Sequence, residues 1–215
     1  MPAKPIYCIS GLGADHTIFR NLSVNNYELI PVHWVPFNKQ DNVCSYAQKV
    51  SAQIKEEHPI ILGLSFGGML AVEIAKVRAT DKVILVSSAK SRDELGEPPG
   101  LLKWVIKSGL LPASFLTIPN KVILDRFGAT SGEEQKLISG IMRRSDGHFM
   151  KWALKSRLTW NNAVIPKNIT HIHGTADKII PPDNVHPDHW IDGGSHIMVY
   201  DRAVEISKII ADTLQ

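Results

Sequence analysis

Cysteine is almost missing from this chain. Cys8 and Cys44 are the only two in 215 residues, with no C-x-x-C spacing between them, so a disulfide-built scaffold is excluded. Cys8 lies in an apolar run and Cys44 near a helix start, which fits free thiols in a reducing compartment. No apolar run approaches the length of a membrane span, and Met1 to Pro5 lacks the apolar core of a signal peptide. The expectation is a cytoplasmic protein with no membrane partner. Charge of one sign is also scarce: 24 Lys and Arg against 21 Asp and Glu give a net charge of +3, spread without a long block. A chain so balanced carries no electrostatic footprint for nucleic acid. Repeats and low-complexity segments are absent too. With 44% hydrophobic and 21% charged residues, the chain can bury a sizeable core, and one domain over residues 1–215 is expected.

Short apolar strand signals alternate with helical ones. Ile6-Tyr7-Cys8-Ile9 runs into the glycine-marked loop Ser10 to Asp15, where Asp15 can cap the turn His16 to Arg20. A strand over Tyr27 to Trp34 contains Pro31, which cannot donate to a ladder and so places it at a sheet edge. Asp41 to Glu57 has helical periodicity, with Tyr46, Ala47, Val50 and Ile54 on one face. Strands then follow at Ile60-Ile61-Leu62 and Val83-Ile84-Leu85-Val86, continuous apolar runs of the kind found in parallel sheets covered on both faces. From about Ala89 to Asn162 only helical patches are readable, so this stretch is expected to be a helical insertion. Ile169 to His173 and Trp190 to Asp192 resume the strands. Val199, Ala203, Ile206, Ile210 and Leu214 form the stripe of a last amphipathic helix. The alternation predicts an α/β fold: a doubly wound, mostly or wholly parallel sheet of about six strands, with helices on both faces.

The chemistry centres on Gly63-Leu64-Ser65-Phe66-Gly67-Gly68, between an apolar strand and the helix Met69 to Arg78. A serine hydroxyl attacks well only when a base reaches it and donors await the oxyanion. A tight turn lifts the side chain clear of the sheet, and the glycines let strand and helix pass without Cβ clashes. G-x-S-x-G alone arises by chance in about one chain in ten of this size. Context adds weight: Ser10 to Asp15, Ser65, Asp177 and His196 each follow a strand signal, and in doubly wound sheets such loops converge beyond the carboxyl ends.

With Gly63-Leu64-Ser65-Phe66-Gly67, His173-Gly174-Thr175-Ala176-Asp177-Lys178-Ile179-Ile180-Pro181 and Gly193-Gly194-Ser195-His196 in that order, the chain resembles a small α/β-hydrolase. The resemblance covers nearly the whole chain except the helical insertion, which falls where that family carries its cap. It implies Ser65 as nucleophile, His196 as base, Asp177 as the acid that orients His196, and the backbone N–H groups of Phe66 and Leu12 as oxyanion donors. Two departures stand out. The oxyanion loop begins Ser10-Gly11 where the family often has His-Gly, and the family's first hairpin is absent. The implied activity is hydrolysis of a small carboxylic ester or thioester substrate that has an apolar part, with no cofactor and no metal. Acyl transfer, perhydrolysis, C–C hydrolysis and lyase chemistry share the scaffold, and a non-catalytic binding protein is the reading from outside the class.

Each assignment has a rival among the residues. Asp93, Asp183 and Asp192 compete with Asp177, and His186 and His189 with His196. His171 and His173, two apart on a strand, share a face and suggest a metal pair, but no nearby carboxylate or thiol spacing completes a site. His16 stands near the oxyanion loop. Leu101, Leu102, Trp104, Val105, Ile106, Leu110 and Leu111, with Phe149, Trp152 and Trp160, either pack the insertion on the body or line an apolar pocket. Trp104, Phe149 and Trp152 are the pocket candidates. Arg143-Arg144 would suit an anionic substrate group or a solvated helix face. The substrate itself and the oligomeric state are not encoded in these patterns.

Overall fold

The computed structural model describes residues 3–215. Six strands form one all-parallel sheet: β1 (Lys4–Ile9), β2 (Tyr27–Val32), β3 (Ile60–Leu64), β4 (Lys82–Val86), β5 (Ile169–Gly174) and β6 (His189–Ile191), in the spatial order β2-β1-β3-β4-β5-β6. The order reverses at β1, so the chain winds first to one side and then to the other. Pro31 pairs with Cys8 on the edge strand β2, the position that its missing N–H requires. This strand stops at Val32, two residues short of the span its composition suggested.

Side chains that alternate along each strand feed two cores. Ile6, Cys8, Leu62, Leu64, Ile84 and Val86 face one layer; Tyr7, Ile9, Ile61, Val83 and Leu85 face the other. The first layer includes the C-terminal helices α8 (Met198–Asp201) and α9 (Ala203–Thr213), and the second α1 (Val43–Ser51) and α2 (Phe66–Val77). The apolar stripe from Val199 to Leu214 is therefore split, because the helix breaks at Arg202; Val199, Ile206 and Ile210 are still fully buried. α1 is shorter than its periodicity implied. Asn42 and Ser45 form a capping box that sets its start, and the chain leaves the helix at Ala52.

Between β4 and β5 lie α3 (Gly100–Ser108), α4 (Ala113–Thr117), α5 (Lys121–Phe127), α6 (Gly132–Arg144) and α7 (Gly147–Thr159). Phe149, Trp152 and Trp160 anchor this insertion in the second core. Trp152 stacks on Phe37 and packs at a tilt against Tyr46, and Trp160 Nε1 donates to the buried Glu73 carboxylate of α2 at 2.7 Å. Leu101, Leu102, Trp104 and Leu110 do not join that packing; they face solvent. Among the described residues, no helix is long and apolar enough to cross a membrane.

Candidate active site

β3 leads directly into Ser65, and α2 begins at the next residue. Ser65 has φ 51° and ψ −117°, a left-handed geometry that an L-side chain adopts only under constraint. The constraint is visible. Ser65 N donates to Val86 O at 3.0 Å, its carbonyl accepts from Gly68 N at 2.9 Å, and Ser88 Oγ donates to the same carbonyl at 2.6 Å. Gly67 lets α2 lie against β1: a Cβ there would fall well inside contact distance of the Ile9 and Ser10 carbonyl oxygens. The turn thus presents a half-buried Ser65 beyond the carboxyl edge of the sheet.

The loop after β1 lies alongside. A Cβ built on Gly11 would sit 3.5 Å from Ser65 Cβ. The backbone N–H groups of Leu12 and Phe66 have no acceptor among the described residues. Phe66 N opens α2, so it also carries the positive end of a helix dipole.

Asp177 and His196 arrive from the ends of β5 and β6. Their loops interlock, because Ala176 N donates to Gly194 O at 2.9 Å and Thr175 N to Ile191 O at 3.0 Å. Only glycine fits at position 174, where a Cβ would run into the Gly194 carbonyl. The resulting chain of contacts is direct. His196 Nε2 is 2.9 Å from Ser65 Oγ, and His196 Nδ1 is 2.8 Å from Asp177 Oδ2. Asp177 Oδ1 accepts from Ile179 N and Ile180 N at 2.8 and 2.9 Å. Burial alone would raise its pKa, but the neighbouring His196 and these amide donors outweigh burial and hold the carboxyl below its ordinary range. Phe127 of α5 packs on the His196 ring, with centroids 5.6 Å apart.

Among the described residues, none of the rivals hydrogen-bonds the Ser65 hydroxyl or the His196 ring. Asp192 accepts from Thr175 Oγ1, His186 N donates to Glu94, and His16 is an exposed residue of the turn after Asp15. His171 and His173 turn toward each other and the acid loop: His171 Nε2 lies 3.2 Å from His173 Nδ1, and His173 Nε2 lies 3.0 Å from Ile180 O and 3.5 Å from Asp177 Oδ2. The approach of His173 to Asp177 is the main feature that the sequence pattern did not disclose, although the spacing of the two histidines on one strand face was its signal. Ser88, which braces the Ser65 carbonyl, left no signal at all.

The three pocket candidates part company. Phe149, with Trp34 and Phe37, lines an open cavity of about 540 Å³ beside Gly13; neither Ser65 nor His196 lines it. Trp152 is buried, and its Nε1 donates to Asp41 O at 3.0 Å. Trp104 is 58% exposed on α3, away from this cavity. Arg144 is neither free for a ligand nor solvated alone: it holds Asp15 through two hydrogen bonds of 2.9 and 2.6 Å, while Ser145 Oγ donates to Gly13 O at 2.5 Å. Two contacts therefore tie the insertion to the loop that carries Leu12.

No family model and no curated protein matches the sequence. Solved structures do match the fold. A lipase-esterase related protein from Clostridium acetobutylicum superposes with a TM-score of 0.70 at 16% identity, covering 98% of this chain and 94% of that one. An enol-lactonase from Burkholderia xenovorans gives 0.69 at 15% identity, covering 99% and 91%, and a meta-cleavage product hydrolase from Pseudomonas fluorescens gives 0.70 at 17%, covering 99% and 89%. With its six-stranded parallel sheet, the chain has the α/β-hydrolase fold.

Proposed function

We propose that the protein is a serine hydrolase that cleaves a small carboxylic ester or thioester through an acyl-enzyme. The observation that carries this reading is the unbroken line Ser65 Oγ, His196 Nε2, His196 Nδ1, Asp177 Oδ2, with separations of 2.9 and 2.8 Å. Ser65 attacks the substrate carbonyl carbon as His196 Nε2 takes the hydroxyl proton. Negative charge then gathers on the former carbonyl oxygen, which the unpaired N–H groups of Phe66 and Leu12 receive. Asp177 stays ionised, fixes the tautomer that leaves Nε2 free to accept, and offsets the imidazolium charge. His196 returns the proton to the leaving oxygen or sulfur, which departs and leaves an acyl-Ser65. Water, deprotonated by the same imidazole, attacks the acyl carbon and regenerates Ser65. The esterase-related and lactonase names among structures of like fold are consistent with ester cleavage.

A p-nitrophenyl acetate or butyrate assay tests the reading. Wild type should turn over, and Ser65→Ala should lose at least about a thousandfold in kcat with its fold intact, as expected when a triad nucleophile is removed. A fluorophosphonate probe should label wild type and not the variant. Equal turnover by the two proteins would remove Ser65 as nucleophile.

A further inference from the structure

We propose that His173 is a positioning residue for the Ser65–His196–Asp177 line, clamping the acid loop through Ile180 and tempering the charge that the Asp177 carboxylate presents to His196. This rests on the serine-hydrolase reading above. The tautomers follow from one atom. Ile180 O can only accept, so His173 Nε2, 3.0 Å away, carries the hydrogen. His173 Nδ1 is then a bare acceptor, and the His171 Nε2–H fills it at 3.2 Å. His171 Nδ1 is buried without a hydrogen-bond partner, and the Ser88 backbone stands near the ring. Every N–H of the pair is thus used.

Both rings are fully buried. Burial lowers the pKa of each, and for His171 the neighbouring His173 and Lys90 push in the same direction. A neutral His173 matters because its Nε2 stands 3.5 Å from the same Asp177 oxygen that His196 uses. As a cation it would compete with the His196 imidazolium for one carboxylate. As a neutral ring it supplies only the positive edge of an N–H dipole, enough to temper the carboxylate without neutralising it. The other charged groups around the pair are Glu94 in the 3-10 turn at Asp93–Leu95, Asp188 (which accepts from His171 N) and Arg157 of α7, whose charge is felt at Asp177. None hydrogen-bonds a ring nitrogen of the pair.

The test compares His173→Leu with His173→Gln, whose amide nitrogen can restore the donor to Ile180 O. In His173→Leu the carboxylate loses a tempering dipole, so the hydrogen bond from His196 Nδ1 to Asp177 Oδ2 should tighten. The acid limb of kcat/KM should move up with it, and kcat should fall severalfold with KM within twofold. His173→Gln should restore both. That hydrogen bond is read from the His196 Nδ1–H resonance by 1H–15N NMR, which should move downfield in His173→Leu and needs no turnover. A resonance that moves in His173→Leu, in a protein whose wild type lacks esterase activity, would sink the functional reading and keep the coupling. An unmoved resonance in a folded His173→Leu protein, checked by near-UV circular dichroism, overturns the proposal. So does a fall in kcat with an unmoved acid limb, which marks a merely structural role.

Discussion

Ser65 invites a comparison between two inactive variants, Ser65→Ala and Ser65→Gly. Both remove the hydroxyl and its hydrogen bond to His196, so that loss cancels between them. They differ in whether a Cβ must occupy φ 51°, ψ −117°. That pair of angles matches the first corner of a type II′ turn, where glycine is favoured and an L-residue is strained by about 1–3 kcal/mol. Four hydrogen bonds to the Ser65 backbone, from Ser88 Oγ, Gly68 N and Met69 N and to Val86 O, prevent the turn from relaxing. Against relief of strain stands the larger entropy of an unfolded glycine, about 0.5–1 kcal/mol. The net expectation is that Ser65→Gly is more stable than Ser65→Ala by about 1 kcal/mol, or about 2–4 °C in Tm for a chain of this size. This inverts the usual order of the two residues. Urea unfolding of both variants, with equal m values, measures the difference as a shift in midpoint. A glycine variant as stable as the alanine variant, or less so, would refute stored strain at the elbow.

Two further predictions concern stability. Gly67→Ala should destabilise the fold by about 1–3 kcal/mol, since the new methyl meets backbone carbonyls that cannot rotate away; thermal unfolding measures it, and a neutral result would show that β1 and α2 can part without cost. His171 and His173 stay neutral in the fold, whereas the unfolded chain protonates both near pH 6.5. Their folded pKa values are depressed, so the stability they permit is complete above pH 6.5 and declines below it, with a slope that approaches about 1.4 kcal/mol per pH unit for each ring. The urea midpoint should fall between pH 7 and pH 5, and His171→Phe should flatten that fall; equal slopes in the two proteins would place the titration elsewhere.

The elbow was legible in the sequence because it is local: a strand, a glycine-flanked serine and a helix lie within a few residues. Asp177 and His196 could be paired with it because loops at the carboxyl ends of parallel strands must meet, whichever residues lie between. The edge position of β2 followed from one missing N–H at Pro31. Patterns failed where orientation was at stake. On α3, Ile106 turns inward, while Leu101 and Trp104, equally apolar, turn out; composition cannot tell the two directions apart. The histidines of β5 show the same limit. Their spacing placed them on one face, but that the face looks at the acid loop depends on Ile180 returning to meet His173.

The break between β4 and β5 has a consequence for how this scaffold changes over time. These strands are paired in parallel, although roughly 80 residues of chain separate them, where a minimal crossover needs about a dozen. Closing the longer loop costs only about 2 kcal/mol more, because the entropy of closure grows with the logarithm of length. Ser65, Asp177 and His196 all lie outside that loop. Insertions of very different size and sequence can therefore be exchanged between Val86 and Ile169 at small thermodynamic cost, leaving the three residues in register. Selection is free to rewrite the stretch between these two strands while Ser65, Asp177 and His196 stay put.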